Sequence, residues 1–278
     1  MTDETPRSYP QGVPSWIEAR HPDPDAALAF YAGVFGWDAE ERVPPGAPGS
    51  YRIVSVDGRD VGAITSSDDP ATWTTYIAVD DADATAARVV ELGGTAAEPA
   101  DAGPGGSAGR GVDCTDPRGA AFALWQARER LGAQHINAPG GWVFSDLRAR
   151  EPEQAVSFYE RLFGWRVSDV REGPSTMVRL PGYGEHLAAT SDPAIHERQA
   201  AAPEGFADVV AALEGTDGGP DDWHVSFRVA DRDDAAARAE RLGGRVLDTW
   251  DGYWTRAVEL QDPQGATFRV SQFAPDDH

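Results

Sequence analysis

The chain contains no lysine: all 24 of its basic residues are arginine. It has one cysteine and two methionines in 278 residues. A single thiol, Cys114, excludes an internal disulfide and argues against a cysteine-based zinc site. A small buried strand residue is the expectation for it. No apolar run approaches the ~20 residues that cross a bilayer as a helix. The opening, MTDETPRSYPQG, is polar and lacks the apolar core of a secretory signal, so a cytoplasmic location is expected. Gly103 to Gly111 is a proline-containing loop without the helix that a phosphate-binding turn requires. No G-x-S-x-G nucleophile elbow occurs. Positive charge is scarce, with 46 acidic residues giving a net charge of −22. That argues against nucleic acid and anionic membrane as partners, since both are bound through Lys and Arg. It favours cationic small molecules, although solubility alone would also account for it.

What the sequence does have is a repeat. Ala27 to Trp37 reads ALAFYAGVFGW, and Ala155 to Trp165 reads AVSFYERLFGW. WTTYIAVDDADATAARVVELGG from Trp73 is matched by WHVSFRVADRDDAAARAERLGG from Trp223. DPRGAAF from Asp116 is matched by DPQGATF from Asp262. The order is the same in both halves. Two domains are therefore expected, 1–130 and 139–278, joined near Ala138-Pro139-Gly140-Gly141. The offset between copies grows before Trp223, which places an insertion near 194–222, with Phe206 to Leu213 as a short helix. Such an insertion is either a lid or a plain surface loop.

Each domain reads as α+β: strand, helix and three strands, twice over. Ser15 to Arg20 is a strand candidate. Asp23 or Asp25 caps the next helix, with Pro24 in its first turn. Ala27, Phe30, Tyr31, Val34 and Phe35 share one helical face, and Gly36 ends the helix. Tyr51 to Val56 and Val61 to Thr65 flank an Asp57-Gly58 hairpin turn. Asp83 to Leu92 is a second helix, and the DPxG turns join two further strands.

The helix starts, the FY…FGW helix ends, the V-x-D strand ends and the DPxG hairpins together resemble the vicinal oxygen chelate superfamily of glyoxalases, bleomycin-resistance proteins and dioxygenases. The resemblance spans nearly the whole chain. It is nearest to two-domain actinobacterial members, including those of anthracycline-type antibiotic clusters. It implies two tandem glyoxalase-like domains, each pairing βαβββ units into a cupped eight-stranded sheet. It also implies four cup-facing metal ligands, His or Glu, per site. Carried onto this chain, the ligand positions hold Trp16, Thr74 and Ala123 in one half and Phe144, His224 and Arg269 in the other. The hairpin strand, around Gly62 to Thr65 or Leu187 to Thr190, supplies no His or acid. No metal and no cofactor are therefore expected.

In place of ligands the faces carry aromatics. Trp16, Tyr51, Tyr76 and Trp125 in one half, and Phe144, Met177 and Trp254 in the other, could line a cleft for a planar ligand or fill the cup as core. The segment Thr249 to Val258, read as one strand, adds Trp250 and Tyr253, whereas Trp37 and Trp165 read as core. Glu18 and Asp146 share the faces of Trp16 and Phe144, suited to a ligand amine or to a solvated rim. His224, Ser226 and Arg269 could hold an acidic or phenolic group, and His224 has a suitable intrinsic pKa for acid–base work. His21, His135 and His278 read as loop or terminal residues; His186 and His196 lie near the hairpin and insertion without partner spacing. The expected function is metal-free binding of a planar aromatic, cationic, anthracycline-like natural product, for self-resistance or as a biosynthetic helper that partners an enzyme. The alternative is a metal-independent hydroxylase or other polyketide-modifying enzyme using His224. A scaffold with filled cups is a third reading.

Overall fold

The computed structural model describes residues 6–172 and 175–275. Four modules follow one another. The first holds β1 (Pro14–His21), α1 (Pro24–Phe35), β2 (Asp38–Glu41), β3 (Tyr51–Val56) and β4 (Arg59–Ser66). The second holds β5 (Thr72–Ala78), α2 (Ala82–Glu91), β6 (Thr95–Ala96), β7 (Ala100–Ala102), β8 (Gly109–Thr115) and β9 (Ala121–Ala127). The third holds β10 (Trp142–Ala149), α3 (Pro152–Phe163), β11 (Arg166–Glu172), β12 (Ser175–Arg179), two short helices α4 (Tyr183–Ala189) and α5 (Ile195–Arg198), and β13 (Val209–Gly215). The fourth holds β14 (Asp222–Arg228), α6 (Arg232–Arg241), β15 (Arg245–Asp251), β16 (Thr255–Gln261) and β17 (Thr267–Phe273). No helix among the described residues is long and apolar enough to cross a membrane.

Local chemistry explains the boundaries. Asp23 accepts the Ala26 amide at the start of α1, and Pro24 sits in the first turn, where its missing N–H costs nothing. Asp57 and Gly58, both at positive φ, turn β3 into β4. Strand order is β2-β3-β4-β1-β5-β9-β8-β6 in one sheet, with β7 also on β8, and β11-β12-β13-β10-β14-β17-β16-β15 in the other. The N-terminal sheet thus has nine strands where eight are expected. Pro99 falls between β6 and β7; a proline cannot donate to the ladder, and the edge strand is split there.

Two expectations need correction. Phe206 to Leu213 is not a helix: after a single tight turn, Val209 begins β13, which runs parallel to β10. A run of five apolar residues does not distinguish a buried strand from a buried helix. The added segment of the third module is therefore the stretch between β12 and β13, built on α4 and α5, and β13 is the counterpart of β4. Likewise Thr249 to Val258 is a hairpin rather than one strand, with Gly252, Tyr253 and Trp254 between β15 and β16.

By packing, the chain forms two compact units that interleave the halves. One contains the segment ending at Ser15, Thr75–Gly132 and Ser145–Trp223. The other contains Trp16–Thr74, Ala133–Phe144 and the segment from His224. The first is centred on Phe122, Phe158, Tyr159, Phe163, Trp165 and Trp223, in edge and stacked contacts. The second is centred on Phe30, Tyr31, Phe35, Trp37, Trp73, Phe227 and Phe268. The repeated motifs build both. Tyr31 donates to Asp262 of the fourth module's DPxG turn at 2.8 Å, and Trp73 donates to Tyr31. Tyr159 donates to Asp116 of the second module's turn at 3.2 Å, and Trp223 donates to Tyr159. Trp37 and Trp165 are buried, as expected, and donate to the Gly140 and Gly12 carbonyls.

Candidate functional site

Because Val225, Phe227, Phe268 and Val270 point into the core, their strand neighbours share the opposite face of the fourth module. His224, Ser226 and Arg228 lie on it from β14, Arg269 and Ser271 from β17, Ala257 and Glu259 from β16. Ser226 and Glu259 both stand beside Arg269 in register. The His224 Nε2 atom lies 2.7 Å from Glu259 Oε1, with the imidazole only 1% exposed. The approach falls outside hydrogen-bonding angles, so the contact is an electrostatic one. Arg269 Nε is 3.7 Å from the other Glu259 oxygen, and its guanidinium lies 4.6 Å from the centre of the Trp250 ring. Glu259 thus joins two of the expected site residues, His224 and Arg269. It was missed because only the strand after the DPxG turn was counted. A signal existed: a lone acid in the alternating strand Thr255–Gln261, paired with Arg269 across that turn.

The second module presents a different face. Tyr76 on β5 and Trp125 on β9 are both partly exposed and meet edge to face at 6.4 Å. Trp125 is fixed at both ends. Its Nε1 donates to the Arg130 carbonyl at 2.9 Å, and its ring lies on β8 where the residues are glycine. A Cβ at Gly109 would stand 2.5 Å from Trp125 Cζ2, so any side chain there would displace the ring. Ala123, at a position where the family carries a ligand, stands beside Tyr76 and Asp113.

The remaining expected residues lie in the first, third and fourth modules. Trp16 is buried, with 4% exposure. Glu18 is buried and faces Ala63, and Arg20 donates to it at 2.9 Å, so its charge is already balanced. Tyr51 is half-buried opposite Thr65. Asp146 and Met177 are buried and flank Ala212, which occupies the hairpin-strand position first sought at Leu187 to Thr190. Phe144 is half-buried, and Trp254 packs edge-on against the exposed Tyr253. Cys114 is buried as expected, and burial pushes its thiol up to about 12.

Of the histidines, His21 departs from expectation: it ends β1 rather than lying in a loop. His21 is fully buried, 2.5 Å from Asp262. His135 is buried too, with Nε2 3.0 Å from the Pro139 carbonyl. His186 contacts Ser8, and His196 Nε2 lies 3.3 Å from Glu185 at the surface. His278 lies outside the described residues.

The family's metal does not fit the donors present. Among the described residues no group of three or more His, Cys, Asp or Glu is placed to hold one. His224 and Glu259 are two, and the Arg269 guanidinium beside Glu259 opposes a cation.

Comparison with known proteins agrees with this architecture. Residues 14–124 match the glyoxalase/bleomycin resistance protein/dioxygenase superfamily, and residues 142–271 match a glyoxalase-like domain. The chain belongs to this superfamily. It is 35% identical to the CFP32 protein of Mycobacterium tuberculosis, over 96% of this chain and 97% of that one. It is 33% identical to the anthracycline biosynthesis protein DnrV of Streptomyces peucetius, over 94% of each. The fold is shared with the 2,3-dioxygenase LapB from Pseudomonas sp. KL28, at TM-score 0.61 and 15% identity, over 96% of each chain. It is shared also with a Mn(II)-bound glyoxalase from Novosphingobium aromaticivorans, at TM-score 0.60 and 18% identity, over 94% of this chain and 82% of that one.

Proposed function

We propose that the chain is a metal-free binding protein for a planar aromatic, amine-bearing natural product of the anthracycline type, acting in sequestration or as a helper to a biosynthetic enzyme. The observation that carries this reading is the Tyr76–Trp125 face. A tryptophan held flat on a glycine strand by its own hydrogen bond is pre-organised, so stacking a ring on it orders little further. The 33% identity to an anthracycline biosynthesis protein, over nearly the full length of both, supports the ligand class. The net charge of −22 supports an amine on the ligand.

A second reading is favoured by the buried His224–Glu259 pair. A carboxylate beside an imidazole suits proton transfer from a phenol or an activated carbon, so a polyketide-modifying enzyme is the alternative.

Tryptophan fluorescence titration with a coloured anthracycline tests the binder. Saturable quenching is expected at roughly micromolar Kd, about 8 kcal/mol. Trp125→Ala is expected to weaken it roughly tenfold with the fold intact, through lost ring contact and apolar burial. Elemental analysis of the same sample is expected to find well below one transition metal per chain. Absence of saturable quenching up to millimolar ligand would sink the binder; one bound metal per chain, lost in His224→Ala, would sink its metal-free part.

A further inference from the structure

The strand β15 is an edge of its sheet, and all its residues but Trp250 are exposed. Val246 is 37% exposed and Leu247 46%. The other half of the repeat is built differently here. Aligned on the two Gly-Gly pairs, Thr95 to Asp101 corresponds to Arg245 to Asp251. That segment reads TAAEPAD, with Ala96 and Ala97 in place of Val246 and Leu247, and Pro99 in place of Thr249. Proline blunts an edge, whereas Val, Leu and Thr leave it able to pair. The fold therefore does not require an apolar edge at this position.

The Gly252 amide donates to the Thr255 carbonyl at 2.7 Å, which sets the phase of the β15–β16 ladder. Alternation from that pair turns the Thr249 backbone away from β16. Its amide is bonded instead to the Asp248 side chain, at 2.8 Å. The register slips by one residue at Leu247, so beyond this bulge the outward backbone is that of Val246. The same slip puts Arg245, Asp248 and Trp250 on the face of Gln261, Glu259 and Ala257, and Val246 and Thr249 on the other. Arg245 and Asp248 make no ion pair among the described residues. Arg245 donates to Gln261, and Asp248 accepts from the Thr249 amide.

We propose that two copies of the chain join through β15, antiparallel about a two-fold axis between Leu247 and Asp248. Val246 then stands opposite Thr249 of the partner subunit. Each takes up the outward N–H and C=O of the other, twice over by symmetry. Both are β-branched and on one face, a favourable cross-strand pair. On the other face Arg245 stands opposite Trp250 of the partner subunit and diagonal to Asp248 of the partner subunit. The occupant is a second copy because this one strand carries both halves of that unpaired charge couple. The register is fixed as well, since a slip that centres the axis on Asp248 sets the two Asp248 carboxylates against each other.

Sedimentation velocity of the full chain over a concentration series tests the pairing. The mass is expected to rise from that of one chain, 29.7 kDa, toward twice that and no further. Thr249→Pro installs the residue that the second module carries at the matching position. The N–H it removes faces outward, so β15 keeps its bonds to β16. This variant is expected to weaken dimerisation roughly tenfold or more. Arg245→Asp and Asp248→Arg should each weaken it too. An equal mixture of those two should dimerise again, because each supplies the charge that the other lacks; this arm holds whatever Thr249→Pro does to the strand. A mass of one chain at every concentration would overturn the proposal and leave the edge to another protein's strand or to none. So would a dimer that a folded Thr249→Pro leaves as tight, a mixture that stays monomeric, or growth past the dimer.

Discussion

His21 and Ala149 hold equivalent positions in the repeat, and the difference between them changes the chemistry of a buried carboxylate. Asp116, the counterpart of Asp262 in the other DPxG turn, is pushed above the usual carboxylate range by burial. Asp262 is equally buried, yet the His21 and Tyr31 hydrogen bonds hold it below that range. A carboxylate depressed in the folded state adds stability that is present above its unfolded value, near pH 4, and is lost as pH falls through the folded value. In His21→Ala the Asp262 carboxylate should behave as Asp116 does, and favour folding only when protonated. The variant is expected to be less stable by roughly 3 kcal/mol at pH 7, the usual cost of breaking a buried pair. The gap should close as pH falls below about 4. Urea titrations at pH 7 and pH 3.5 measure this; an equal gap at both would refute it. None of it was legible in the sequence. His21 follows a strand and precedes a cap, which reads as a loop, and its partner is 241 residues away.

At the scale of elements, legibility followed local physics. The α1 cap, the Asp57-Gly58 hairpin and the DPxG turns are set by neighbours in sequence, and all were readable. The β13 strand was not, because its apolar run has no period and its identity comes from pairing with β10. The candidate site was half legible. Alternation along β14 and β17 placed His224, Ser226 and Arg269 on one face, but Glu259 emerges only from register. Trp125 belongs here too, since its orientation depends on β8 having no side chain at Gly109. Gly109→Ala brings a Cβ to 2.5 Å from the ring and 2.7 Å from the Gln126 carbonyl. Overpacking of this kind costs about 1–3 kcal/mol. The expected result is a lower melting temperature, a changed near-ultraviolet tryptophan signal and weaker anthracycline quenching. An unchanged near-ultraviolet spectrum would show that Trp125 is not held by that strand.

Across the whole molecule, the motifs that place the chain in its superfamily turn out to carry architecture. Tyr31 of the first module reaches Asp262 of the last, and Tyr159 of the third reaches Asp116 of the second. The positions that carry the family's metal ligands here hold Trp16, Thr74, Ala123, Phe144, His224 and Arg269. What the molecule has in their place is a large negative charge and a rigid aromatic face. The charge makes a specific demand: attraction of an amine-bearing ligand should weaken as salt shortens the screening length from about 30 Å at 0.01 M to about 8 Å at 0.15 M. Equilibrium dialysis against an anthracycline at these two ionic strengths, with chromatography of the recovered ligand, tests the account most directly. The account predicts saturable retention at roughly micromolar ligand, weaker at the higher salt, with the ligand recovered chemically unchanged. No retention up to millimolar ligand, or recovery of a converted product without any added enzyme, would contradict it.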